Sequence, residues 1–205
     1  MKAAASRQDL VSRTGNLIFA LENPSLEPFL ASWPAAGPTE PALLDVIAST
    51  LPVLRWLPSI AHDRQDLGAP VIDALCQLAP SLAWRQTYTA DELGPAFMRD
   101  YGYTEIIGPS AMLRTETMAC GFLLLGPATL YPRHRHEAEE IYVILSGDAL
   151  WLQGDETWRE HAPGTVVHHA TEEPHAMRTG DRPLLALYLW RGAGLNQKAR
   201  LEGTA

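Results

Sequence analysis

Tyr131-Pro-Arg-His134-Arg-His136-Glu-Ala-Glu139-Glu140-Ile-Tyr142-Val-Ile-Leu-Ser-Gly147 decides the reading of this chain. In an extended segment alternate residues share a face, so His134 and His136 project to one side while Arg133 and Arg135 face the other. After a short turn, Glu140 and Tyr142 again share a face, which can be the same interior one. Two imidazoles and one carboxylate, joined by a histidine from elsewhere, make a donor set of borderline hardness. It suits Fe(II), Mn(II), Ni(II) or Zn(II) with positions left open for a substrate.

Outward from this stretch the chain reads as strands. Runs of β-branched and aromatic residues cover 117–125, 140–146, 149–153, 165–168 and 184–190. They are separated by Gly147-Asp148, Pro163-Gly164 and similar turn residues. Many short strands over residues 83–205 predict a mainly β barrel or double-sheet jelly roll. Residues 1–82 read differently. Nine of the 16 prolines fall before residue 81 and punctuate segments with helical apolar spacing. Leu10, Leu17, Ile18 and Leu21 form one stripe. Thr39 is placed to cap a second helix, with Pro41 in its first turn and Leu43 to Leu54 following, kinked or ended at Pro52. A third helix is predicted over 69–78. This N-terminal segment is expected to pack on the barrel.

Composition excludes several classes. The 205 residues suit one domain with an extension, and 46% hydrophobic residues suffice for a core. The net charge of −8, with no basic run longer than two, argues against nucleic acid as a partner. Cys76 and Cys120 form no CxxC pair and read as reduced, buried thiols. The N-terminus is not a secretory leader and no apolar window is long enough to span a bilayer, so no membrane partner and a cytoplasmic address are expected.

His161, His168, His169 and His175 compete to complete the metal site. His168 and His169 are adjacent, so at most one points inward; His62, in the helical part, reads as a surface or packing residue. The spacing of His134, His136, Glu140 and Gly147 resembles the first cupin motif, and Pro163-Gly164 followed by Pro174-His175 resembles the second. That resemblance implies His175 as the remaining ligand and one divalent transition metal as cofactor. Seven residues rather than five separate Gly126 from His134, a departure confined to the loop leading into the motif.

More of the chain narrows the resemblance. Trp84-Arg-Gln86-Thr-Tyr88, Tyr101-Gly-Tyr103-Thr-Glu105, Tyr131 to Tyr142, and Pro174-His-Ala-Met-Arg178-Thr179 are similar to the cupin dimethylsulfoniopropionate lyases over about residues 84–191. The resemblance implies β-elimination of a small zwitterion to dimethyl sulfide and acrylate, with Tyr131 and Tyr142 as candidate bases. A sulfonium is a weakly hydrated cation that aromatic faces attract. Trp190, Tyr188, Trp84 and Tyr88 are therefore the candidate substrate-binding residues, while Glu105, Arg114 and Arg178 read as structural charges. Two alternatives share the same site: an Fe(II) oxygenase, or a lyase-like cupin acting on another small carboxylate. A metabolite sensor is disfavoured because no signalling domain is evident. Either a monomer or a homodimer is compatible with this reading.

Overall fold

The computed structural model describes residues 5–34, 43–63 and 67–203. Twelve strands are formed among them: β1 (Trp84–Arg85), β2 (Tyr101–Gly108), β3 (Leu113–Arg114), β4 (Met118–Leu125), β5 (Leu130–Arg135), β6 (Glu139–Ser146), β7 (Ala149–Gln153), β8 (Arg159–His161), β9 (Val166–His169), β10 (His175–Thr179), β11 (Leu184–Arg191) and β12 (Arg200–Leu201). They make two sheets. One has the order β1-β2-β4-β11-β6-β9 with β3 added beside β2; the other runs β12-β5-β10-β7-β8. All pairs except β2–β3 are antiparallel. This is the jelly-roll barrel expected from the sequence, and the five predicted strands are each found within one residue of their expected ends. Gly147 turns the chain between β6 and β7 with φ of 86°, and a Cβ there would lie 2.2 Å from the Pro183 carbonyl oxygen, so only glycine fits.

The larger sheet is apolar on both faces. In β4, Met118, Cys120, Phe122 and Leu124 belong to one buried cluster, and Ala119, Leu123 and Leu125 to another. The same split recurs in β11, where Leu185, Leu187 and Leu189 face away from Leu184, Ala186 and Tyr188. The second set fills the barrel interior, and the first meets α1 (Arg7–Ala20), α2 (Glu27–Leu30), α3 (Leu57–Asp63) and α4 (Ala69–Leu78). Strand alternation therefore dictates two layers, helices outside and a site inside.

Helix α1 starts at a capping box in which the Ser6 hydroxyl accepts from the Asp9 N–H and the Asp9 carboxylate from the Ser6 N–H. Its predicted Leu10, Leu17 and Ile18 are buried, and α4 occupies the predicted 69–78. The helix predicted from Thr39 is not formed as expected. Thr39, Pro41 and Ala42 lie outside the described residues, and 43–48 is irregular. This segment runs along the sheet edge, where the Leu44 N–H donates to Met112 and Ser49 bridges Ala83. Pro52 explains the difference. It holds Leu51 extended and opens a 3₁₀ turn, Pro52–Trp56, that leads into α3. Ile47, counted in the apolar spacing, is 92% exposed. Within the barrel region one helix was not foreseen: α5 (Ala90–Arg99), capped by Thr89 and Glu92 and kinked at Gly94-Pro95. Of the two cysteines, neither in a disulfide, Cys120 is buried as expected and Cys76 only half so.

The packing sets an expected result. Phe122, Leu124, Ile141, Val143, Leu185, Leu187 and Leu189 are fully buried, and the helices are what covers their face. Each contributes about 1.5–3 kcal/mol on burial, together comparable to a domain's whole stability. Deleting residues 1–82 should give an aggregating chain; a monodisperse, fully active fragment on gel filtration would contradict this.

Candidate active site

Strand β5 places the first candidate ligands through an irregularity. His175 on β10 lies opposite His134, but Met177 lies opposite Tyr131, so three residues of β5 span two of β10. The extra residue is a bulge beside Pro132, which has no N–H to give the ladder. Tyr131 and His134, three apart, consequently both point inward. Their rings stack at 4.1 Å between centroids, 12° from parallel.

Three imidazoles are fixed in the same way. Nδ1 of His134 lies 2.8 Å from the Pro132 carbonyl, Nδ1 of His136 lies 2.8 Å from that of Ala138, and Nδ1 of His175 lies 2.9 Å from that of Glu173. With Nδ1–H given to backbone in each case, the Nε2 lone pairs are left to face one another. One ring nitrogen from each of the three lies within 4.8 Å of the others. Glu140 Oε2 lies 2.9 Å from His136 Nε2 and 3.2 Å from His175 Nε2, while Oε1 accepts from the Trp190 indole N–H at 2.6 Å. Burial alone would raise the Glu140 carboxyl, but His136 and His175 beside it hold it well below the usual carboxylate range. Burial pushes His134 well below the usual imidazole range. For His136, burial is outweighed by the Glu140 carboxylate beside it, which pushes the imidazole up. The site thus presents three imidazoles and one carboxylate, all buried, and His175 Nε2 has no partner in good hydrogen-bond geometry. Such a donor set fits a divalent transition metal.

The other histidines separate as alternation requires. His168 turns outward to Glu139 at 2.8 Å, whereas His169 is fully buried inside, stacked 4.0 Å from the His175 ring. Burial lowers its pKa to about 2, and it stands behind the His134–His136–His175 cluster. His161 sits on the edge strand β8, and His62 is exposed.

A cavity of about 350 Å³ opens beside these ligands. Tyr131, Tyr142, Tyr188 and Trp190 line it, together with Glu140. Tyr88 stands behind Tyr131, whose hydroxyl donates to it at 3.3 Å. Trp84 does not reach the cavity. It is 2% exposed within the outer cluster under the helices, and its indole N–H donates to Ala79. Strand β1 is only two residues long, so the face shared by Trp84 and Tyr88 in a continuous strand is lost, and Arg85 takes the inward position. Glu105 also lines the cavity, contrary to the expectation of a structural charge; the alternation of Tyr101, Tyr103 and Glu105 along β2 is the signal that places it. Arg178 lies outside over Trp158, and Arg114 is exposed. The segment 195–199 covers the remaining wall, tied to α5 by the Lys198–Glu92 ion pair.

Trp190→Phe keeps the ring beside His136 but leaves Glu140 Oε1 without its donor. Loss of a hydrogen bond that orients a ligand typically weakens metal affinity by 10–100-fold. About that loss is expected in competition against a chromophoric chelator.

The model of the dimethylsulfoniopropionate lyase family matches residues 35–186. The chain belongs to that family. Dimethylsulfoniopropionate lyase DddQ of Ruegeria pomeroyi is 33% identical over 182 residues, covering 83% of this chain and 90% of the relative. A putative dimethylsulfoniopropionate lyase DddL of Cereibacter sphaeroides is 35% identical over 142 residues, 63% of this chain and 59% of the relative. Among solved structures, a chain described under crystal structures of the lyases RdDddP and RnDddQII superposes with a TM-score of 0.84 at 32% identity, covering 96% of this chain and 97% of that one. The crystal structure of DddQ from Ruegeria pomeroyi superposes with a TM-score of 0.74 at 32% identity, covering 94% and 99%. No helix among the described residues is long and apolar enough to cross a membrane.

Proposed function

We propose that this protein cleaves dimethylsulfoniopropionate by metal-dependent β-elimination, giving dimethyl sulfide, acrylate and a proton. The observation that carries the reading is the convergence of three imidazoles on Glu140, a carboxylate that lines a cavity together with two buried tyrosines. His134, His136, Glu140 and His175 would hold a divalent metal, which when bound would supply Lewis-acid stabilisation of the negative charge that develops next to the substrate carboxylate.

The remaining work falls to the chain. A tyrosine removes the proton from the carbon adjacent to the carboxylate. The C–H electron pair becomes the new carbon–carbon double bond, and the carbon–sulfur pair leaves with sulfur as neutral dimethyl sulfide, which needs no acid. Burial pushes both Tyr131 and Tyr142 well above the ordinary phenol range, so neither gives phenolate at neutral pH without added positive charge nearby. Trp190 and Tyr188 present ring faces to the cationic group. The buried tyrosines that line the cavity restrict water around the reacting atoms.

Incubating metal-reconstituted protein with dimethylsulfoniopropionate and sampling the headspace tests this. Dimethyl sulfide and acrylate in equal amounts, released with no oxygen consumed, are expected. Absence of dimethyl sulfide, or a requirement for oxygen, would refute it.

A further inference from the structure

The inner face of the larger sheet carries a row of residues in register: Glu105 opposite Gly121, Gly121 opposite Tyr188, Tyr188 opposite Tyr142. The row crosses β2, β4, β11 and β6, three strand spacings, so its ends are roughly 14 Å apart along the backbone. Tyr142 stands at the metal-binding end of the cavity and Glu105 at the other. Gly121 is what joins them. A Cβ at this position would lie 2.8 Å from the Tyr188 hydroxyl, so the Tyr188 ring lies over the bare glycine backbone toward β2. Tyr103 meets Tyr188 edge-on at 6.3 Å between centroids, and Tyr188 meets Trp190 at 6.3 Å in the same manner. Three rings thus line the path from Glu140 to Glu105.

Glu105 itself is incompletely paired. One carboxylate oxygen accepts from the Ser110 N–H at 3.0 Å, and Glu105 joins no ion pair among the described residues. The neighbouring Arg85 donates instead to the Ser110 carbonyl at 3.1 Å. Lys198, the other cation on the cavity wall, is held by Glu92. Burial pushes the Glu105 carboxyl above its ordinary value, by more than the Ser110 N–H and the nearby Arg85 guanidinium lower it.

We infer that Glu105, with the faces of Tyr103 and Tyr188, forms a subsite for the cationic sulfonium end of the substrate, opposite the metal-binding end that takes its carboxylate. This rests on the lyase reading. A diffuse cation with methyl groups gains from aromatic faces, and a nearby carboxylate that hydrogen-bonds to backbone supplies charge without competing for the leaving sulfur. Glu105 acts here as a specificity-determining group at a distance from the proton transfer.

The test compares two unreactive ligands of one shape and opposite character. The first is 3-(trimethylammonio)propanoate, cationic at nitrogen, whose amine is a far poorer leaving group. The second is 4,4-dimethylpentanoate, which keeps the carboxylate and replaces the ammonium end by a neutral tert-butyl group. Calorimetry on the metal-loaded wild-type protein is expected to give at least about 10-fold tighter binding of the cationic ligand. In Glu105→Gln, whose carbonyl can still accept from Ser110, the ratio should fall to within about 3-fold. KM for dimethylsulfoniopropionate should rise about 10-fold with kcat changed by less than about 3-fold. Equal wild-type binding of the two ligands overturns the subsite without any variant, as does an unchanged ratio in folded Glu105→Gln. The two readings fail separately. Cation preference that Glu105→Gln loses, in a protein releasing no dimethyl sulfide, keeps the subsite and refutes the lyase; dimethyl sulfide release with an unaltered ratio and KM does the reverse.

Discussion

His136→Ala is expected to abolish turnover by removing the metal. His136 sits where β5 ends and the turn to β6 begins, its Nδ1 fixed on the Ala138 carbonyl and its Nε2 2.9 Å from Glu140. Alanine takes away one of the four proposed donors, and water entering the space is a weaker donor than imidazole. It also removes a hydrogen-bonding neighbour of a carboxylate that is 1% exposed, so Glu140 faces burial with less compensation. Metal content after dialysis should fall to less than about one-tenth of wild type, and dimethyl sulfide release by roughly 10³-fold or more. His169→Ala is the control. His169 is equally buried and stacks on His175, but it stands outside the three-histidine cluster and neither of its ring nitrogens has a hydrogen-bond partner. Elemental analysis of both variants decides the matter: stoichiometric metal in His136→Ala removes it from the ligand set, and loss in His169→Ala alone would redraw that set.

What was legible in the sequence tracks how local the cause is. The His134, His136, Glu140 spacing is fixed by one turn between two strands, and period-two alternation carries it from the page to the cavity wall. His175 could be chosen among four histidines only by resemblance, because which strand lies beside β5 depends on the whole winding of the two sheets. Trp84 shows the opposite limit. Its apparent partnership with Tyr88 assumed a strand continuing through residue 88, yet pairing with β2 ends after Arg85. The apolar spacing of 43–54 resembles a helix, but the sheet edge at β1 and beside β3 takes up the same backbone, with Ser49 bridging Ala83 and the Leu44 N–H donating to Met112, and Pro52 permits only a restart. Glu105 was passed over because a glutamate on a strand reads as solvated; only closure of the barrel turns that face into an interior.

Tyr131→Phe is expected to lower kcat by about 10² or more while changing KM little, with Tyr142→Phe affecting both. Electrostatics separates the two hydroxyls. Burial raises both, but the second cause acting on Tyr142 is the Glu140 carboxylate, a like charge that opposes phenolate there, whereas the further causes acting on Tyr131 are neighbouring tyrosines. Tyr131 also has a resource Tyr142 lacks. Its hydroxyl is 3.3 Å from that of Tyr88, and once Tyr131 has lost its proton the Tyr88 O–H can turn and donate to the phenolate. Burial holds the Tyr88 phenol at about 12, so it stays a donor throughout the working pH range. The bulge at Pro132 supplies the aim, since regular alternation would have turned Tyr131 away from His134. Phenylalanine at 131 keeps the ring stacked on His134 and deletes only the hydroxyl, which isolates the proton transfer from the packing. Tyr88→Phe should then cost less, about 10-fold in kcat, with the fall concentrated at low pH, where a phenolate without its donor is harder to form. Steady-state kinetics on the three variants, each with metal content verified, distinguishes the roles: near wild-type kcat in Tyr131→Phe beside a large loss in Tyr142→Phe would transfer the base to Tyr142.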